Sequence, residues 1–238
     1  MDYALVTGAA KRIGKSIAIY LAEQGWDIIL HYNESKDEAL QLQKHISKYI
    51  GRTCILYQDN FRKLNNLQFF TKSFSIGLVI NNAAIFMMDT LNDLTENRLI
   101  NTLKINFSTP MLLMRSILNS TLYQKEINII NILDTMIYQL PKSFISYYFS
   151  KCMLANLTKL SAKAYAPKAR VNGIVLGQIL KNDRQDIDKF NNDSINNPLK
   201  YKVDIKEIHN TINFIINNKS ITGQIISLDS GMHLDTVK

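Results

Sequence analysis

An alternation kept up along the whole chain constrains its fold most: short apolar, β-branched runs are separated by longer segments with helical periodicity. This is the signature of a parallel sheet whose strands are joined by crossover helices. Strands are expected at Tyr3 to Thr7, Ile28 to Tyr32, Thr53 to Tyr57, Leu78 to Ile80, Asn128 to Leu133, Arg170 to Val175 and Gln224 to Leu228. Helices are expected at Ile13 to Gln24, Lys36 to Tyr49, Leu64 to Phe74, Glu96 to Ser120, Phe144 to Tyr165 and Ile205 to Ile216. The expectation is an α/β chain with a doubly wound parallel sheet of about seven strands and helices on both faces.

With 238 residues, 46% of them hydrophobic and 20% charged, the chain can fill one α/β core as a single domain over residues 1–238. No internal repeat or linker divides it. The polar, Asn-rich stretch from about 178 to 203 is the exception, and it reads as an irregular flap covering a site. The net charge of +8 is scattered rather than gathered into a basic stripe, so nucleic-acid binding is not expected. A mild positive field does favour a phosphorylated small molecule.

Cys54 and Cys152 fit neither a CxxC nor a metal-ligand spacing, which points to reduced thiols and no metal site. The N-terminus lacks a basic segment followed by an apolar run, and no apolar run approaches the ~20 residues that span a bilayer. No membrane partner is expected, and the expected location is cytoplasmic.

Two stretches carry chemistry. Thr7-Gly8-Ala9-Ala10-Lys11-Arg12-Ile13-Gly14 lies between the first strand and first helix, where small residues let backbone N–H groups approach a pyrophosphate. Tyr147 and Lys151 stand one helical turn apart, with Asp134 at the end of the fifth strand. A cation beside a phenol stabilises the phenolate and eases proton release, so this pair is a candidate proton donor. Tyr148, the neighbouring phenol, has Cys152 rather than a cation one turn on.

Taken in order, Thr7-Gly8 with Gly14, Asp59, Asn82-Ala83, Asn106, and Tyr147 with Lys151 resemble the short-chain dehydrogenase/reductase family over almost the entire chain. The resemblance implies a Rossmann-type fold and an NAD(H) or NADP(H) cofactor. It also implies that Tyr147 is the acid, that Lys151 lowers its pKa and holds the nicotinamide ribose, and that Asn106 supports a water relay. The cofactor contacts it implies are Gly8, Lys11, Arg12, Ile13, Gly14, His31, Tyr32, Asn33, Ser35, Asp59, Asn60, Asn82, Ala83, Tyr147, Lys151, Gly177 and Ile179. Taken singly, Asp59 could cap a helix, Asn106 could satisfy buried backbone and Asn82 could form a turn.

Departures from the general family narrow the reading. Arg12 stands where most members have a glycine, Asp134 replaces the usual serine, and Phe86 falls where pteridine and dihydromonapterin reductases place a ring that stacks on the pterin. That branch implies reduction of a C=N bond in a dihydropterin or dihydrofolate-like ring, with Arg12, Phe86, Asp134 and Tyr147 at the substrate. Phe86 read alone could equally be a core ring under the flap, and Arg12 a surface ion pair. The other readings are a carbonyl reductase acting on 3-oxoacyl thioesters or small ketones, and a degenerate NADP(H)-binding sensor, to which the Leu176-Gly177 in place of Pro-Gly lends itself. The second strand ends in His31-Tyr32-Asn33-Glu34-Ser35; His31 there and Lys11 in the phosphate turn, with Ser35 as a donor, favour a 2'-phosphate, whereas Glu34 opposes it. NADPH is therefore expected in preference to NADH. The resemblance also implies a homo-oligomer, a tetramer or dimer.

Overall fold

In the computed structural model, residues 2–63, 74–119, 126–181 and 186–236 are described. Seven parallel strands form one sheet: β1 (Tyr3–Val6), β2 (Asp27–Tyr32), β3 (Cys54–Gln58), β4 (Ile76–Asn81), β5 (Ile127–Asp134), β6 (Ala169–Leu176) and β7 (Ile225–Leu228). Their spatial order is β3-β2-β1-β4-β5-β6-β7, with every pairing parallel. Strand order reverses between β1 and β4, the position at which open α/β sheets hold ligands.

The sheet is apolar on both faces because helices cover both. Successive strand residues point to opposite sides, so Ala4 and Val6 join one cluster while Leu5 joins the other. The first cluster packs Ile28, Leu30, Leu78 and Ile80 against Ile17 and Leu21 of α1 (Arg12–Glu23), Leu42 of α2 (Lys36–His45) and Ile208, Ile212 and Ile215. The second packs Ile29, Val79, Ile129 and Val175 against helical residues Leu113, Ile117, Leu154 and Leu157. Each such side chain contributes ~1.5–3 kcal/mol of burial, which pins the register and hence the edge at which every strand ends.

The remaining helices are α3 (Glu96–Leu103), α4 (Thr109–Leu118), α5 (Ile145–Tyr165), α6 (Ile187–Ile195) and α7 (Ile205–Asn217). Four elements differ from expectation. The helix expected at Lys36 to Tyr49 is α-helical only to His45 and ends in a π-helical turn at Ile46–Ile50. The long helix expected from Glu96 is interrupted by a π-helical turn at Lys104–Ser108. Pro110 has no N–H to return to the Asn106 carbonyl four residues back, and the wider turn accommodates the loss. The stretch expected to be irregular contains α6, whose start is capped by Asp186 accepting from Asp188 N at 3.0 Å and Lys189 N at 2.9 Å. Phe144 is not helical: it precedes α5 with φ 62°, in the left-handed region. The helix expected at Leu64 to Phe74 lies outside the described residues, apart from Phe74. Among the described residues, no helix is long and apolar enough to cross a membrane.

Candidate active site

A groove of about 440 Å³ opens where strand order reverses. Its lining includes Gly8, Lys11, Arg12, Ile13, Gly14, His31, Tyr32, Asn33, Ser35, Asp59, Asn60, Asn82 and Ala83. Thus thirteen of the residues assigned to the cofactor come together in one wall. Gly177, Ile179, Tyr147 and Lys151 are outside that lining.

The phosphate turn is held by a small set of bonds. Thr7 Oγ1 accepts from Asn82 N (2.9 Å) and Ala83 N (3.0 Å), while Asn82 Nδ2 donates to the Thr7 and Gly8 carbonyls at 2.9 and 3.2 Å. Asn82 therefore ties β4 to the turn. Close approach requires small residues here: a Cβ at Gly14 would overlap the Gly8 carbonyl, and one at Gly8 would lie 3.0 Å from Ala83 Cα. Arg12 itself adopts φ 54°, a conformation natural to glycine and costly for a side-chain-bearing residue.

Several groove residues are engaged differently from expectation. His31 does not reach out toward a 2'-phosphate. Its ring is buried and stacked on Phe61 at 3.8 Å; Nδ1 accepts from Gly8 N at 3.0 Å, and Nε2 lies 3.1 Å from the Asp59 carbonyl. Because Gly8 N can only donate, Nδ1 is unprotonated and the Nε2–H faces Asp59, which makes the ring neutral. Burial pulls its pKa from the ordinary 6.5 to about 4, only partly offset by the Asp59 carbonyl. Arg12 donates to the carbonyls of Lys181 (2.6 Å) and Leu180 (3.1 Å), fastening the segment after β6 rather than facing a substrate. Asp59 Oδ2 accepts from the Tyr57 hydroxyl at 2.7 Å, and Asn60 Oδ1 accepts from Arg62 N at 3.0 Å.

Next to this groove, Asp134, Tyr147 and Lys151 come together. Asp134 ends β5; its Oδ1 accepts from Met136 N at 2.9 Å and its Oδ2 from the Tyr147 hydroxyl at 3.0 Å. Lys151 is buried, donates to the Ile132 carbonyl at 2.7 Å and lies 5.6 Å from the centre of the Tyr147 ring. The electrostatics differ from a simple cation-activated phenol. Burial first, and then the Asp134 carboxylate, push the Tyr147 hydroxyl well above its ordinary value. Burial also draws Lys151 down to about 8, against the upward pull of Asp134.

Asn106, inside the π turn, accepts from Ile85 N (2.9 Å) and donates to the Ile85 carbonyl and Ser150 Oγ, both at 3.0 Å. Its side chain is thus occupied in joining the groove wall to α5. Phe86 is half-exposed, stacks face to face on Phe144 at 4.2 Å and meets Tyr147 edge-on at 4.7 Å. It is not a core ring.

Asp89, Phe144 and Ser146 were not singled out in the sequence. Asp89 is fully buried; its carbonyl accepts from Phe144 N at 2.7 Å, Oδ1 accepts from Ser146 N at 3.1 Å, and Oδ2 accepts from the Ser146 hydroxyl. This carboxylate sits at the N-terminus of α5, where the helix dipole favours it, and fixes the entry of the helix that carries Tyr147. No local motif signals it, because its partners lie more than fifty residues away.

A family model described as short chain dehydrogenase matches residues 2–192, and the chain belongs to that family. It is 28% identical to a 3-oxoacyl-[acyl-carrier-protein] reductase of Staphylococcus epidermidis over 97% of this chain and 98% of the relative. It is 26% identical to a dihydromonapterin reductase of Shigella boydii, covering 97% and 96%. The crystal structure of FolM Alternative dihydrofolate reductase 1 from Brucella canis, complexed with NADP, superposes with a TM-score of 0.92 at 32% identity, covering 98% of this chain and 94% of that one.

Two expectations follow. A histidine held neutral when folded binds fewer protons than when unfolded, so its contribution to stability is complete above pH 6.5 and is lost as pH falls toward 4. Urea midpoints should therefore fall across that window, and His31→Gln should flatten the fall. An equal slope in both proteins would contradict the assignment. Asp89→Ala strands the Ser146 N–H and hydroxyl and should cost about 1–3 kcal/mol in urea unfolding, with Asp89→Asn recovering part of it. An unchanged midpoint for the alanine variant would contradict the cap.

Proposed function

We propose that this short-chain dehydrogenase is an NADPH-dependent oxidoreductase that reduces a C=N bond in a dihydropterin or dihydrofolate-like ring, with Tyr147 as proton donor. The observation that carries the reading is the Asp134 carboxylate accepting from the Tyr147 hydroxyl, with Phe86 edge-on beside it. A pterin offers ring N–H and amino donors to a carboxylate, and a flat ring to the open side of Phe86.

The groove fits the cofactor. Gly8 and Gly14 let the turn fold tightly against Asn82 and Ala83, which presents backbone to a pyrophosphate at the start of α1, whose first turn contains no acidic residue. Asn82 and His31 hold that turn in shape. When bound, the reduced nicotinamide supplies the hydride. This chain's residues supply the proton and its surroundings. Hydride addition to the carbon of C=N leaves an electron pair on nitrogen, and the Tyr147 hydroxyl donates its proton to that pair. Even a phenol raised by burial is a far stronger acid than the N–H it creates, so the raised pKa does not block the transfer. Lys151, close to the ring, stabilises the phenolate as it forms, and Asp134 orients both the hydroxyl and the substrate.

The second reading is a carbonyl reductase for 3-oxoacyl thioesters, supported by the likeness to the Staphylococcus epidermidis enzyme. A substrate carbonyl needs a donor where Asp134 presents an acceptor, which is why the pterin is preferred. We also propose a dimer or tetramer: Phe149, Met153 and Leu160 expose apolar surface along α5, as do Ile100 and Met111 on α3 and α4.

Tyr147→Phe should lower dihydropterin turnover at least ~100-fold while NADPH still binds. The assay follows NADPH oxidation with dihydrobiopterin, dihydromonapterin, dihydrofolate, an acetoacetyl thioester and simple ketones in parallel. Parental rates in the variant would remove Tyr147 as the donor. Turnover of thioesters or ketones but not pterins would replace the pterin reading.

A further inference from the structure

At the end of β2, the groove is lined by Lys11, Arg12, Asn33, Glu34 and Ser35. In this fold, that is where the adenosine ribose of a dinucleotide lies. Neither cation is uncommitted: Arg12 donates to the Leu180 and Lys181 carbonyls, and Lys11 Nζ lies 2.6 Å from Glu38 Oε1. Glu38 stands in the first turn of α2, directly after Ser35, whose hydroxyl makes no capping bond of its own. Glu34 adds a second negative charge, its Oε1 accepting from Asn33 Nδ2 at 3.4 Å.

We propose that Glu38 sets how strongly this groove prefers the 2'-phosphorylated cofactor, by competing with the phosphate for Lys11. This rests on the reading of the groove as an NADPH site. Both partners of the Lys11–Glu38 pair are well exposed, 53% and 42%, and exposed pairs are weak enough to exchange. A 2'-phosphate can therefore take the ammonium, but only by breaking that pair, so the carboxylate and the phosphate compete for one cation. An exposed carboxylate is ionised at neutral pH, so Glu38 remains a competitor for Lys11. NADH carries a hydroxyl at that position and meets no such conflict. Glu38 thereby acts on one cofactor and not the other.

A double-mutant cycle on the full chain tests this, reading NADPH and NADH dissociation constants by nicotinamide fluorescence for the parent, Glu38→Gln, Lys11→Gln and the double variant. Glu38→Gln should bind NADPH about 3- to 10-fold more tightly, with NADH changed by less than about twofold. Lys11→Gln should weaken NADPH, and adding Glu38→Gln to it should restore little, because the competition runs through Lys11. The proposal is overturned if Glu38→Gln binds NADPH no better or more weakly, if NADH tightens equally, or if the gain survives loss of Lys11. A parent that binds NADH but not NADPH, or neither cofactor, overturns the NADPH reading itself, a result separate from an unchanged cofactor ratio.

Discussion

Everything in this molecule depends on seven parallel strands whose faces are both buried. Because each strand is fixed in register by apolar side chains above and below it, all seven carboxyl ends arrive at one edge. The phosphate turn after β1, His31 in β2, Asn82 after β4 and Asp134 at the end of β5 thus meet without any sequence proximity. Parallel strands make this unavoidable, since every connection must cross back over the sheet before the next strand begins. The rim gathers the polar residues of the site, and the left-handed backbone of Arg12 with them.

On that rim, hydrogen bonding has been used chiefly to hold shape. Asn82, Thr7 and His31 together tie the phosphate turn to its neighbouring strands, and Asp89 fixes the start of the helix that carries Tyr147. Thr7, His31 and Asp89 are buried, Asn82 is half-buried, and all four are hydrogen-bonded, so they cost little in unmet polar atoms while leaving the groove open. Charge is arranged differently at the two ends of the site. At the proposed reaction end, the Asp134 carboxylate touches the phenol and the Lys151 ammonium sits beside the ring. At the other end of the groove, Glu38 pairs with Lys11, and Glu34 stands in the same lining.

Much of this was legible from residue order. The strands were readable from their β-branched runs, and the Tyr147 and Lys151 pairing from a spacing that matches one helical turn. Arg12 illustrates the limit: its place in a glycine-rich turn was visible, but its left-handed backbone and its grip on the Leu180 and Lys181 carbonyls were not. His31 was misread because a histidine at a strand end looks like a surface cation until burial is known. Tyr147 was read as eased by Lys151, whereas burial and then the Asp134 carboxylate raise its hydroxyl. The helix Ile187–Ile195 was hidden by its Asn-rich composition, although Asp186 was an available capping signal. The π turn had a signal too, in Pro110, but only the fold shows that Asn106 sits within it.

The central claim is that the carboxylate of Asp134, set against the Tyr147 hydroxyl, suits this site to a pterin rather than a carbonyl. The most direct measurement compares kcat/KM for a dihydropterin and for a 3-oxoacyl thioester in the parent and in Asp134→Ser, where a hydroxyl donor replaces the acceptor. The account predicts that the ratio swings toward the thioester by at least about tenfold, through loss of pterin reduction. An unchanged ratio, with pterin reduction intact in the serine variant, would contradict it.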